Sequence, residues 1–259
     1  MSATGRRRAR RHPPELWRVP VLRTTMVTPR MARITVGGAP LATFPGGGGD
    51  QHVVLYFYDS GVELPDPLTL VSARTMLGQV RPAMRSYTVR RHDPVAHELD
   101  FDFVLHGDGV ASAWATAAQP GDDVILVGPS PAYTLDEDVP RHLLVGDETA
   151  LPAIGALLAA ATGSVAAVIE VADIAEEQPL PGVRWVHRNG GAPGTPDLLL
   201  AAVSDLELTG DIAVWAAGER SAMQALRTHL LTDRRLDRRQ VRTTTYWRHG
   251  QAGTDSAGV

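Results

Sequence analysis

The chain of 259 residues has no cysteine and no lysine, so all 25 of its basic residues are arginine. Without cysteine there is no disulfide, no thiolate nucleophile and no cysteine-ligated zinc or iron–sulfur cluster. Without lysine there is no Schiff base and no lysine nucleophile. A long apolar run is missing too: the longest mostly apolar stretch, residues 151–161, falls short of the ~20 residues that a spanning helix needs. Arg6, Arg7, Arg8, Arg10 and Arg11 lead into His12, Pro13, Pro14 and Glu15, not into the apolar segment of a secretory or twin-arginine signal. The expectation is a cytoplasmic chain with no membrane partner. A net charge of −4 with 21% charged residues gives no global attraction to nucleic acid. What is present is a 44% hydrophobic composition, enough for one large core or two modest ones.

Residues 1–15 are polar, arginine-rich and carry two prolines, and they read as a disordered basic tail. Residues 19–27, 33–36, 53–58, 85–91, 99–105 and 123–127 are short runs rich in β-branched or aromatic residues, separated by glycine and proline clusters at 46–49 and 64–67. With one helical stretch at 110–118 they predict a small antiparallel β-barrel over residues 16–135. The rhythm then changes. Strand candidates at 143–145, 165–171, 183–186 and 212–216 alternate with helix candidates at 151–161, 197–203 and 221–231. That alternation predicts a parallel α/β domain over residues 136–250, with a tail at 251–259. The boundary falls near residues 129–140, where Gly128-Pro129 and Pro131 punctuate the chain.

Two segments carry chemistry. In Arg85-Ser86-Tyr87-Thr88, at a strand start, an arginine suited to a bidentate phosphate contact is followed by a tyrosine able to stack on a flat ring and a threonine able to bond a ring heteroatom. Strand alternation puts Arg85 and Tyr87 on one face. Alone, the segment reads sooner as a strand with a surface arginine than as a cofactor contact. The second segment is Phe103-Val104-Leu105-His106-Gly107-Asp108-Gly109-Val110-Ala111-Ser112-Ala113-Trp114, a strand running through a glycine turn into a helix opened by small residues. The free N–H groups and dipole of such a helix start suit a pyrophosphate. A plain strand–turn–helix link with Ser112 as N-cap is the alternative. Together the two segments point to a flat, phosphate-bearing cofactor.

With these motifs the sequence resembles the siderophore-interacting proteins, flavin-dependent ferric-siderophore reductases of the ferredoxin-reductase superfamily. The resemblance also takes in Pro120-Gly121-Asp122, Gly146-Asp147-Glu148-Thr149-Ala150-Leu151-Pro152-Ala153-Ile154, Ala217-Gly218-Glu219 and Tyr246-Trp247-Arg248, and it spans residues 17–250. It implies an FAD-binding barrel followed by an NAD(P)H-binding-like α/β domain. By the same resemblance Arg85 would hold the FAD pyrophosphate, Tyr87 would stack beside the isoalloxazine and Thr88 would bond near its reactive nitrogen, with Ser86 in the same segment. The backbone of Val104, Leu105 and His106 would follow the flavin, while Gly109, Ala111 and Ser112 would cradle the pyrophosphate. Gly146, Asp147, Thr149, Gly218 and Glu219 would complete the cofactor site. The activity implied is electron transfer from NADPH or NADH through FAD to Fe(III) in a siderophore, with a reduced ferredoxin as another possible donor.

The residues themselves add detail. Gly146-Asp147-Glu148-Thr149 lacks the second and third glycines of a dinucleotide fingerprint and sets two acids where phosphates would approach. This argues against tight pyrophosphate binding there; the resemblance includes this acidic turn and implies that Thr149 and the adjacent backbone face flavin and nicotinamide. Glu170, 24 positions after Gly146, stands near the offset of an acid that bonds a ribose hydroxyl, or is a charged strand end. Arg184 and Arg188 read as solvated surface or as receivers of a 2′-phosphate. Arg238, Arg239, Arg242, Arg248 and His249 make the C-terminal strand and its end basic; Arg242, Arg248 and His249 are the candidates for receiving an anionic ferric chelate, with a solvated edge as the competing view. Against the family pattern, Val54 follows Asp50-Gln51-His52-Val53 where a basic residue is common, and Thr245 replaces a common glycine. The nine histidines form no metal-ligand pattern, and no metal ligand is assigned. Two alternatives stay open: a flavin-containing protein that binds ferric siderophore with little nicotinamide turnover, and a general flavin or quinone reductase.

Overall fold

The computed structural model describes residues 12–107, 109–130 and 133–251; most of the two expected tails lies outside the described residues. The first sheet has seven strands: β1 (Glu15–Thr28), β2 (Met31–Gly37), β3 (His52–Phe57), β4 (Ala83–Thr88), β5 (Arg91–Asp93), β6 (Glu98–Val104) and β7 (Asp123–Gly128). All neighbours are antiparallel, in the order β4-β3-β7-β1-β2-β6-β5. In β3 the apolar Val53, Leu55 and Phe57 alternate inward, as a half-buried strand requires.

β4 and β5 stand at opposite edges of this order, yet only Val89 and Arg90 separate them. Two residues cannot span seven strands spaced about 4.8 Å apart, so the sheet curls until its edges approach. Tyr87 on β4 then packs on Phe103 of β6 with ring centroids 4.2 Å apart. The expected barrel is therefore a curled half-barrel, and the expected strand at 85–91 is two strands. The Val89 N–H donates to Gln51 beside β3, and the Arg90 N–H donates to Asp100 on β6. Trp17, Ile34, Leu55, Phe101 and Leu126 fill the interior. A short helix α1 (Leu70–Met76), opened by a reciprocal cap between Thr69 and Ser72, was not evident in the sequence pattern. Helix α2 (Val110–Ala117) packs Ala111 and Ala115 into the barrel core.

The second sheet is parallel throughout: β8 (Arg141–Asp147), β9 (Ser164–Val171), β10 (Val183–His187), β11 (Ile212–Glu219) and β12 (Val241–Trp247), in the order β10-β9-β8-β11-β12. Its central strands are apolar runs because both faces are covered. Helix α3 (Leu151–Ala159) sets Leu151, Ile154 and Leu157 against Leu144, Ile169 and Trp215. Helices α4 (Pro196–Ser204) and α5 (Arg220–Thr228) cover the other face with Leu199, Met223 and Leu226. The strand order reverses between β8 and β11, and in open α/β sheets the carboxyl ends of the strands at that reversal form the ligand crevice.

Buried polar contacts join the two sheets. The Trp215 indole donates to Asp50 at 3.3 Å, the Thr28 hydroxyl donates to Glu176 at 2.5 Å, and Met31 of β2 packs into the α3-side core.

Candidate functional site

On β4, Arg85 lies opposite Leu55 and Tyr87 opposite Val53, while Ser86 is exposed on the other face. One Arg85 N–H donates to the Met84 carbonyl at 2.8 Å. Burial pushes the Tyr87 hydroxyl far above its ordinary pKa, so it stays protonated. Thr88 is buried, with its side chain beside the hydroxyl of Tyr246 on β12. That contact brings the first sheet's signature segment against the last strand of the second sheet.

β6 leads through Val104, Leu105 and His106 to α2. The N-cap of α2 is Gly109, with no side-chain hydrogen bond to the first turn. Ser112 is therefore not the cap; it is the third helical residue, and its Oγ accepts the His106 N–H at 2.9 Å, which fastens the turn. A Cβ on Gly109 would lie 2.9 Å from the His106 ring, so glycine keeps this approach open. The start of α2 offers uncapped N–H groups beside the small residues Ala111 and Ser112, while Arg85 and Tyr87 share one face of β4. The chemistry of these groups fits the pyrophosphate and flat ring of FAD.

Gly146 pairs with Ala217 where the strand order reverses. Gly218 has φ 154°, and a Cβ there would lie 2.7 Å from Asp147 Oδ2. The Asp147 carboxylate is buried and accepts four hydrogen bonds, from the Thr149 N–H at 2.9 Å and hydroxyl at 2.5 Å, the Glu219 N–H at 3.0 Å and the Trp247 indole at 2.8 Å. Burial, with the nearby Glu148, raises its pKa against these bonds. Glu219 caps α5, accepting from the N–H groups of Ser221 and Ala222, and also from the His249 N–H at 3.2 Å. Burial opposes its ionisation, but these bonds prevail and hold its carboxyl below the usual range. Gly146, Asp147, Thr149, Gly218 and Glu219 thus converge at the carboxyl ends of β8 and β11. There the two carboxylates clasp backbone and indole.

A cleft of about 240 Å³ opens between the sheets. Val104, Leu105 and His106 line one wall; Glu148, Arg188 and Gly190 line the other. Arg188 is not solvated surface: its side chain is 5% exposed. It donates to both oxygens of Glu148 at 2.6 and 2.7 Å and to Glu170 at 3.2 Å. Burial pushes the Glu170 carboxyl up to about 7 despite Arg188, and its Oε2 is buried with no hydrogen-bond partner. It is a buried ion-pair member, not a charged strand end. Arg184 lies apart, bonding Ala202 and Asp205.

The three expected substrate residues are not gathered at one point. Arg242 stacks over the Tyr133 ring, 5.3 Å from its centroid. Arg248 and His249 lie beyond the end of β12, roughly 20 Å along the strand from Arg242 at ~3.3 Å per residue. Arg248 bonds Gln251 at 3.4 Å. Arg238 and Arg239 precede β12, and Arg239 pairs with Asp237. Val54 is half-buried on β3. The sequence reading gave no role to Asp50, Glu148 or Tyr246. Asp50 and Tyr246 stood inside quoted motifs, and adjacent acids at a ligand-facing turn were the signal for Glu148.

A curled antiparallel sheet and a parallel sheet with a cleft between them make a two-domain fold of the ferredoxin-reductase type. A ferredoxin reductase of a carbazole 1,9a-dioxygenase shares this fold, with a TM-score of 0.68 at 13% identity over 91% of this chain and 70% of that one. The family model of a siderophore-interacting FAD-binding domain matches residues 20–133, and that of siderophore-interacting protein matches residues 139–250. The chain belongs to the siderophore-interacting protein family. The crystal structure of a siderophore utilization protein from T. fusca superposes with a TM-score of 0.82 and 36% identity, covering 95% of this chain and 98% of that chain. The NADPH-dependent ferric-chelate reductase of Escherichia coli is 29% identical over 88% of this chain and 91% of its own length.

Proposed function

We propose that this protein is an FAD-dependent reductase that passes electrons from a nicotinamide nucleotide to Fe(III) held in a siderophore. The observation that carries the reading is the shared cleft. The turn from β6 into α2 forms one wall, and the carboxyl ends of the parallel strands form the other. We divide the chain into an FAD-binding domain over residues 16–135 and a nucleotide-binding domain over residues 136–250, and we place it in the cytoplasm. Among the described residues no helix is long and apolar enough to cross a membrane.

FAD, when bound, supplies hydride acceptance and release of electrons one at a time. The polypeptide supplies binding, orientation and electrostatics. Arg85 and the first N–H groups of α2 would hold the pyrophosphate of FAD, Tyr87 would pack beside its ring, and Thr88 would lie near the ring edge. The backbone of Val104, Leu105 and His106 would follow the flavin. The Asp147 clasp orients the Gly146–Thr149 turn where donor and flavin meet. Two electrons from the nicotinamide reduce two ferric ions to ferrous ions, and Fe(II) is held more weakly by hard siderophore oxygens, so iron is released. Arg248 and His249 at the end of β12 draw in the anionic chelate.

Anaerobic mixing of the flavin-loaded protein with NADH or NADPH, with and without a ferric siderophore, tests this. The expected result is bleaching of the flavin by nucleotide and its return on addition of the chelate, with Fe(II) trapped by ferrozine. Bleaching only by dithionite would favour a binding protein. Reoxidation by quinones with none by ferric chelates would favour a general reductase.

A further inference from the structure

We propose that the cleft discriminates between the two nicotinamide dinucleotides and takes NADH in preference to NADPH, through the Glu148–Arg188–Glu170 cluster. The inference rests on the reductase reading above and narrows its electron donor. It also departs from the relative named as NADPH-dependent, which shares 29% of its residues with this chain.

Glu170 is the penultimate residue of β9, the strand next to β8 on the side away from the reversal. In doubly wound sheets that strand end meets the adenosine ribose, where an acid accepts from the 2′-hydroxyl and a nearby arginine receives a 2′-phosphate. Both residue types are present here, and their pairing decides between the two ligands. Arg188, just past the end of β10, is the cation beside Glu170, and Arg30 lines the cleft as well. Three of its N–H groups are engaged, two by Glu148 and one by Glu170, and its side chain is almost fully enclosed. A 2′-phosphate would have to displace a bidentate carboxylate to reach it.

Charge works in the same direction. The cleft is lined by Glu148, Asp173 and Glu176 against Arg30 and Arg188, and Glu170 stands behind Arg188. A phosphomonoester adds −1.5 to −2 charges. It is an acceptor facing carboxylates that are themselves acceptors. A ribose hydroxyl is a donor and meets the same carboxylates favourably. Glu170 Oε2, buried without a partner and outside the cleft lining, is a surplus acceptor behind Arg188 and not a contact to the ribose itself.

Two readouts test the proposal on the FAD-loaded full chain: equilibrium binding of ADP-ribose against 2′-phospho-ADP-ribose, followed by tryptophan fluorescence, and kcat/KM of flavin reduction by NADH against NADPH. The expected result is at least a tenfold preference for the unphosphorylated form in both. The double variant Glu148→Gln, Glu170→Gln releases Arg188 and should narrow that preference at least tenfold. Arg188→Met should retain the preference for NADH. The flavin spectrum of each variant reports that the fold and cofactor site persist. Equal or tighter binding of the phosphorylated ligand by the unaltered protein would overturn the proposal. So would a double variant whose selectivity does not move, or loss of NADPH use alone in Arg188→Met. If neither nucleotide reduces the flavin, the reductase reading fails, and the ADP-ribose pair still decides on its own whether the cleft discriminates.

Discussion

At the scale of single residues, Asp147 shows how a carboxylate that looks like a ligand in the sequence acts as a clasp in the fold. Four donors from β11, β12 and the turn after β8 end on its two oxygens. Asp147→Ala leaves the Trp247 indole and the Glu219 N–H without acceptors in a buried setting. The expected cost is ~2–4 kcal/mol of unfolding free energy, read by urea denaturation. Glu170 gives a pH signature. Its folded pKa of about 7 lies above its unfolded value. Its proton is therefore held more tightly in the folded state, and its contribution to stability is fully present below the unfolded pKa and is lost as pH rises to about 7. Glu170→Gln should remove that slope and exceed the unaltered protein by ~1–3 kcal/mol at pH 8, with no such gain at pH 4. Arg85→Ala should weaken FAD retention by roughly 10- to 100-fold, the equivalent of a charge-assisted contact of ~1.5–3 kcal/mol. Visible-absorbance titration of the apoprotein with FAD checks it.

At the scale of elements, four strands and the helices of the parallel domain were legible because those strands hold apolar runs and the helices begin beside Pro152, Pro196 and Glu219; β12, with three successive threonines, was not among the strand candidates. The cap at Glu219 has its own test: Glu219→Ala removes the acceptor for the first turn of α5 and should cost about 1–2 kcal/mol, read by thermal unfolding. The half-barrel was legible in part. Residues 85–91 read as one strand because the turn to β5 is made by Val89 and Arg90, neither of which is a turn residue; the bend is imposed by the closing of the sheet. Helix α1 escaped notice because its seven residues carry too short an apolar pattern, and its start depends on the reciprocal Thr69–Ser72 bonds. Within the site, spacing located Arg85–Thr88 and the turn before α2. The burial of Arg188 was not legible, because its two acidic partners come from Glu148 and Glu170, 40 and 18 positions away.

At the scale of the whole molecule, the two sheets form one site because polar side chains cross between them: Asp50 to Trp215, Thr88 to Tyr246, Thr28 to Glu176. Arg248 lies at the exposed end of this joint, and Arg248→Ala should raise KM for an anionic ferric chelate while leaving flavin reduction by nicotinamide unchanged. Repeating the assay at two salt concentrations with a neutral chelate separates steering from packing, since only steering is screened. The pairing of Trp247 with Asp147 has a consequence for the order in which the protein is made. The indole follows its carboxylate by 100 positions, and β12 pairs with β11, which in turn pairs with β8. Every strand of the FAD-binding sheet leaves the ribosome before residues 241–247 exist. The Asp147 carboxylate therefore waits for its indole donor until the last strand of the sheet is laid down. A premature stop before Val241 would leave the Asp147 carboxylate without its Trp247 donor and Thr88 without Tyr246 beside it, so the crevice between the sheets would stay unfinished.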